Sequence, residues 1–245
     1  MSDVRPRGTL HGVIFAPYVR KVRAVLALKS IAHHQVSVMP GAMDPEFLAK
    51  SPLSKVPVWE ESGFQLPDSS AICAYLERIV PEPAIYPAEP RVFASVLFWE
   101  EYADTRLVDA VEPVFFQRVV RPRVLRQTCD EAIVRRQLEE VIPPVFDQLE
   151  ALYCSPGPLR PGYAPPANRD GSRSGPSGLA LDGTPDVTPD IAAIALWSPL
   201  VNLEHVGFGV DAARWPGVAA AYATTSAQPV LRSIIAEERA ALGAR

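Results

Sequence analysis

Lys55-Val56-Pro57-Val58, followed by Leu66-Pro67-Asp68-Ser69-Ser70-Ala71-Ile72, is the stretch that decides the fold. The Val56–Pro57 bond lies among apolar, strand-forming residues, where proline's missing N–H normally breaks a ladder. Two short runs, Val56 to Trp59 and Gly63 to Leu66, flank Glu60-Glu61-Ser62 and predict a hairpin. Asp68-Ser69 then opens a helical pattern over 69–79, with Ile72, Tyr75, Leu76 and Ile79 on one face. Ser69 is the expected cap and Pro81 the stop. An interrupted ladder beside a helix start reads as a backbone clamp for a small, peptide-like anion.

Upstream, Leu10 to Phe15 predicts a strand and Pro17 opens a helix. Val19, Val22, Val25, Leu26 and Lys29 share one face of that helix; Arg20, Lys21 and Arg23 fall off it, as a solvated face or a set of anion contacts would. Val36 to Met39 predicts a second strand, parallel to the first because a crossover helix joins them. Asp44-Pro45 marks a short helix over 45–50. The order β-α-β-α-β-β-α over 8–82 is a compact α/β unit.

Four prolines between Pro81 and Pro90 form a stiff linker. Beyond it the period is helical: 91–121 around Pro113, 130–153 around Pro143-Pro144, then 189–206, 216–226 and 229–241. The second domain, 91–242, is therefore expected to be all-helical. Residues 155–186 lose apolar periodicity and are rich in Pro, Gly and Ser, as in a flexible loop insertion.

The 245 residues are 48% hydrophobic, enough for a substantial core, and carry a net charge of −4, which gives nucleic acid no general attraction. Three cysteines, without a C-x-x-C, fit a reducing cytoplasm rather than a disulfide framework. No N-terminal apolar run suggests a membrane span. His33-His34 lacks the companions of a metal site. Gly207-Phe208-Gly209 follows a helix, not a strand, which excludes a dinucleotide fingerprint.

Pro17-Tyr18-Val19-Arg20-Lys21-Val22-Arg23, Ser51-Pro52-Leu53-Ser54-Lys55-Val56-Pro57 and Asp190-Ile191-Ala192 together resemble the glutathione S-transferase superfamily, over about Gly8 to Ala241. The resemblance implies an α/β thioredoxin-like N-terminal domain plus an all-α C-terminal helical domain, with glutathione as co-substrate and no metal. It implies that a cis Val56-Pro57 bond turns the Val56 N–H and C=O toward the tripeptide backbone. Lys55 would meet the glycine carboxylate, Ser69 and its helix start the γ-glutamyl carboxylate, and Asp68 the α-ammonium group. A cytoplasmic homodimer, acting in detoxification on a small apolar electrophile, is the corresponding whole-protein expectation.

The chain departs from this pattern where the chemistry should be. The catalytic serine or cysteine of similar members immediately precedes the helix-opening proline; here that residue is Ala16, with Phe15 before it. Neither can donate a hydrogen bond to a thiolate. Tyr18 and Arg20 are the nearest replacement candidates, together with the helix N-terminus. The alternative is a non-catalytic glutathione- or partner-binding regulatory protein of the same fold. Phe98, Trp99, Tyr102, Phe115 and Phe116 are candidate pocket aromatics, whereas Trp197 and Trp215 read as core. Thr188 is an expected cap, with Pro189 first in the helix and Asp190 a structural acid in its first turn.

Overall fold

A computed structural model describes residues 5–154 and 188–243. The proposed loop over 155–186 lies outside the described residues. The chain divides into two compact units, Met1–Ile85 with Pro229–Arg245, and Tyr86–Gln228.

The first unit carries β1 (Gly8–His11), α1 (Pro17–Leu28), β2 (His33–Val36), α2 (Pro45–Lys50), β3 (Val58–Glu61), β4 (Phe64–Pro67) and α3 (Ser69–Ile79). The sheet order is β2-β1-β3-β4, with β1 parallel to β2 and antiparallel to β3, and β3 antiparallel to β4. The expected element order and parallel crossover are present, but both early strands begin upstream of their predicted positions. Val13 to Phe15 enter the turn before α1, and the polar run His33-His34-Gln35 forms the edge strand. The hairpin turns on Ser62 (φ 50°) and Gly63 (φ 82°), two consecutive left-handed residues whose twist suits a two-residue connection.

Leu10, Val58, Trp59, Val22, Ile72 and Leu76 belong to the buried core of this unit. Gly12, at φ 149°, brings the end of β1 close to α1: a Cβ there would lie 2.5 Å from Val19 Cγ2 and 3.2 Å from Val56 Cβ. Helix α1 packs against α3 and also against the C-terminal helix, which joins this unit. That double cover excludes the solvated-face reading of Arg20, Lys21 and Arg23, which are 0%, 1% and 6% exposed, and Arg20 and Arg23 make the alternative contact, with an acid. Buried Lys29 binds the carbonyls of Val80 and Pro83 at 2.7 and 2.8 Å and Glu77 at 2.6 Å, tying α1 to the end of α3.

The second unit begins with α4 (Pro90–Tyr102) and α5 (Val108–Phe115), joined by a π-helical turn at Ala103–Leu107. A further π-helical stretch, Phe116–Val124, continues the same run. Of the two readings of 91–121, one long helix or two, the run is continuous, with Pro113 inside it. Next come α6 (Glu131–Arg136), a π-helical turn at Gln137–Val141, and α7 (Ile142–Cys154). Helices α8 (Ile191–His205) and α9 (Pro216–Ala227) complete the unit, and α10 (Pro229–Gly243) returns to the first.

Helix α8 is buried on nearly every side and is the centre of the second unit's core. Its cap is Asp190, which accepts the Ala193 N–H at 2.8 Å, so the helix starts after the expected Thr188-Pro189 pair. Trp197 and Trp215 are buried, as expected for core residues.

Candidate functional site

Strand register brings the quoted motif together. Val58 pairs with both His11 and Pro67. One or two residues beyond that row, the end of β1, Val56-Pro57 and Asp68-Ser69 emerge at one end of the sheet. The N-termini of α1 and α3 begin there. Both present backbone N–H groups that an intrahelical ladder leaves unused, and both carry partial positive charge.

The Val56–Pro57 bond is cis. Val56 is buried, and its backbone N–H and C=O make no hydrogen bond among the described residues. The preceding segment is held in place by Ser51. Its Oγ accepts the Lys55 N–H at 3.0 Å and donates to the Lys55 carbonyl at 2.7 Å. The Lys55 side chain is exposed. This leaves a fixed, unpaired peptide group with a cation beside it.

At the head of α3 the cap is Asp68 rather than Ser69. Asp68 adopts φ 79°, a left-handed conformation that aspartate tolerates better than most residues, and its Oδ1 accepts the Ala71 N–H at 3.0 Å. The Asp68 side chain is exposed, whereas Ser69, first in the helix, is 4% exposed. Ser70 Oγ accepts from the buried Lys21 Nζ at 3.0 Å, which adds a positive charge behind the helix start.

Helix α1 opens without a side-chain cap. Ala16 holds the extended cap geometry (φ −70°, ψ 129°) but has no oxygen to offer. Tyr18 is half-buried in the first turn. The Arg20 guanidinium grips Glu238 of α10, with Nε at 2.9 Å and Nη2 at 2.7 Å from Oε2, and Nη2 also donates to the Phe15 carbonyl at 3.3 Å. Both side chains of that pair are 0% exposed.

Residues 10–84 match the family model described as the glutathione S-transferase N-terminal domain. The chain is 32% identical over 113 residues to a rice protein (Oryza sativa subsp. japonica) named as a probable glutathione S-transferase, covering 44% of this chain and 48% of that one. It is 28% identical over 144 residues to elongation factor 1-gamma of Schizosaccharomyces pombe, covering 58% and 34%. The chain thus spans about half the length of the first of these relatives and a third of the second. A glutathione S-transferase from Rhodospirillum rubrum F11 has the same fold, with a TM-score of 0.72 at 22% identity over 93% of this chain and 91% of that one.

Residues 10–84 thus match a glutathione S-transferase N-terminal domain, and the chain is similar to glutathione S-transferases in sequence and in fold. Val56-Pro57 and Asp68-Ser69 flank the paired row of Val58 and Pro67, and α1 and α3 are joined near their starts by the Lys21–Ser70 bond. Of the aromatics, Phe98, Trp99 and Tyr102 cluster on α4, with the Phe98 and Trp99 rings 5.1 Å apart. Trp99 and Phe115 are buried and serve the core; Phe98 and Phe116 are exposed. Among the described residues, no group of three His, Cys, Asp or Glu side chains could hold a metal, and no helix is long and apolar enough to cross a membrane.

Sequence reasoning missed Glu238. It follows Leu231, Ile234 and Ile235 on the buried stripe of α10. An acid at the next position of an apolar stripe is a signal that a buried cation awaits it.

Proposed function

We propose that this protein binds glutathione at the end of its sheet and adds the thiolate to a small apolar electrophile. The observation that carries the reading is the unpaired Val56 peptide group, held beside the starts of α1 and α3. A tripeptide can pair with Val56 as one more strand. Its γ-glutamyl carboxylate suits the α3 N-terminus at Ser69, its α-ammonium suits the Asp68 carboxylate, and its glycine carboxylate suits Lys55.

The thiol then lies toward α1. A free thiol has a pKa of about 8.5, so only a few per cent is ionised at neutral pH. With Ala16 at the cap, the stabilisation of a thiolate falls to the backbone N–H groups and positive end of α1, with Tyr18 as the nearest hydroxyl. The thiol proton leaves to solvent. The sulfur lone pair forms the S–C bond, and the displaced electron pair goes to the leaving group or, in an addition, to the electrophile. In this reading the protein acts in detoxification as a cytoplasmic homodimer.

The second reading is a non-catalytic glutathione- or partner-binding regulator. Ala16 favours it, as does the match to a protein named for translation elongation. Calorimetry with glutathione and S-alkyl glutathiones tests the shared premise, with dissociation constants in the millimolar range or tighter expected. Absence of binding sinks both glutathione readings. Binding without turnover across several electrophile classes selects the second.

A further inference from the structure

We propose that Glu238, acting through Arg20, is the positioning group that orders the uncapped start of α1. The inference rests on the proposed use of that start to stabilise a glutathione thiolate. It concerns residues 218 apart in sequence, brought together in the first unit.

The geometry is that of an anchor with its own brace. Arg20 Nε reaches Glu238 Oε1 at 3.0 Å and Oε2 at 2.9 Å, and Nη2 reaches Oε2 at 2.7 Å. Arg23 Nη1 holds Oε1 at 2.9 Å, while its Nη2 binds Glu237 at the helix surface. The carboxylate is therefore fixed by two cations and in turn fixes the Arg20 fork. From that fork Nη2 also donates to the Phe15 carbonyl at 3.3 Å. The next carbonyl, of Ala16, accepts the Arg20 N–H at 2.9 Å as the first bond of the helix. One residue thus holds two successive carbonyls of the turn that enters α1, one through its side chain and one through its backbone.

A side-chain cap ordinarily does this work from the front, by accepting an N–H of the first turn. Ala16 cannot. A helix start without a cap frays, and frayed N–H groups do not hold a fixed aim at a developing anion. Arg20 supplies the order from behind, out of contact with the ligand. It and Glu238 are positioning residues, not catalytic ones. Arginine suits the task because its planar fork makes several fixed bonds at once.

The test uses the full-length protein and two variants. Removing one partner alone strands a buried charge, so the first variant is Arg20→Met with Glu238→Leu, which replaces the pair by apolar groups of similar size. The second, Arg20→Lys, keeps a charge for Glu238 but has no fork to span Phe15. Two readouts are taken: amide hydrogen exchange at residue 20, whose N–H makes the first bond of α1, without ligand, and the pH titration of bound glutathione by thiolate absorbance. Both variants are expected to unfold cooperatively and to bind S-methyl glutathione within about twofold of wild type. Exchange at the α1 start should accelerate about tenfold, and the bound thiol should titrate about one unit higher, a tenfold loss of thiolate at neutral pH. Unchanged exchange and an unchanged titration in either folded variant overturn the proposal. Wild-type protein that binds no glutathione overturns the functional reading instead; accelerated exchange would then still support the anchor, and unchanged exchange would remove it.

Discussion

At residue 68 one side chain carries two separable duties. Asp68 caps α3 through Ala71 and sits at φ 79°, so Asp68→Ala removes a cap and puts a poor residue in left-handed backbone. It should cost about 1–3 kcal/mol in denaturant unfolding. Asp68→Asn keeps both the cap and the tolerance for that backbone, and should fold within about 0.5 kcal/mol of wild type. It should nevertheless bind glutathione roughly tenfold more weakly, since the ammonium group loses a charged acceptor. Equal affinities for wild type and the Asn variant would mean that Asp68 is a cap and nothing more. Ala16 poses the converse case. The backbone there already has cap geometry, so Ala16→Ser should stabilise α1 by about 1 kcal/mol, read as a higher denaturant midpoint. The new hydroxyl should also lower the titration of a bound thiol. A variant with neither effect would show that the residue-16 side chain points away from the helix start.

Among the elements, helices were more legible in the sequence than strands. Pro45–Lys50 falls where its cap and proline predict, because a cap is a local signal, and Ser69–Ile79 keeps its expected bounds although its cap is Asp68 rather than Ser69. The strand over His33–Val36 was not found at its true position. An edge strand with little to bury carries no apolar alternation to read. Pro113 left open whether 91–121 is one helix or two, and flanking π-helical turns let the helix run on. Helix α8 offers a quantitative test. Burial pushes the Asp190 carboxyl up to about 6, against weaker opposition from the Ala193 and Ala192 N–H groups, and its Oδ2 has no partner among the described residues. Nearby, burial and the charges of Asp190 and Glu150 raise the Tyr153 phenol. Because the folded-state value exceeds the ordinary 3.8, the folded state holds more protons between those values. The contribution to stability is complete below about pH 4 and is lost as pH rises through 6. Asp190→Asn keeps an N-cap but cannot ionise. Its stability relative to wild type should therefore climb between pH 4 and 7 by on the order of a few kcal/mol. A difference that stays flat across this range would place the Asp190 titration below 4.

For the molecule as a whole, chain order and compact units part company at α10. Periodicity reads 229–241 as the last helix of a helical region, yet its contacts are with α1, and it joins the unit that carries the sheet. Arg20 and Arg23 explain why the sequence hid this. Their positions off the apolar face of α1 look solvated until a second helix covers them, and the covering helix lies more than two hundred residues away. The energetics make α10 part of the first unit's stability rather than an appendage. Leu231, Ile234 and Ile235 are buried, each worth about 1.5–3 kcal/mol when removed from water. Stranding a buried cation by removing its partner adds about 3–5 kcal/mol. That sum is comparable with the 5–15 kcal/mol that stabilises an ordinary domain. A chain ending at Gln228 should therefore lose the protection of α1 amides against hydrogen exchange, while α8 amides, at the core of the other unit, keep theirs. Protection retained in α1 would mean that the buried cations find water or other partners without Glu238, and that α10 is dispensable to the sheet-bearing unit.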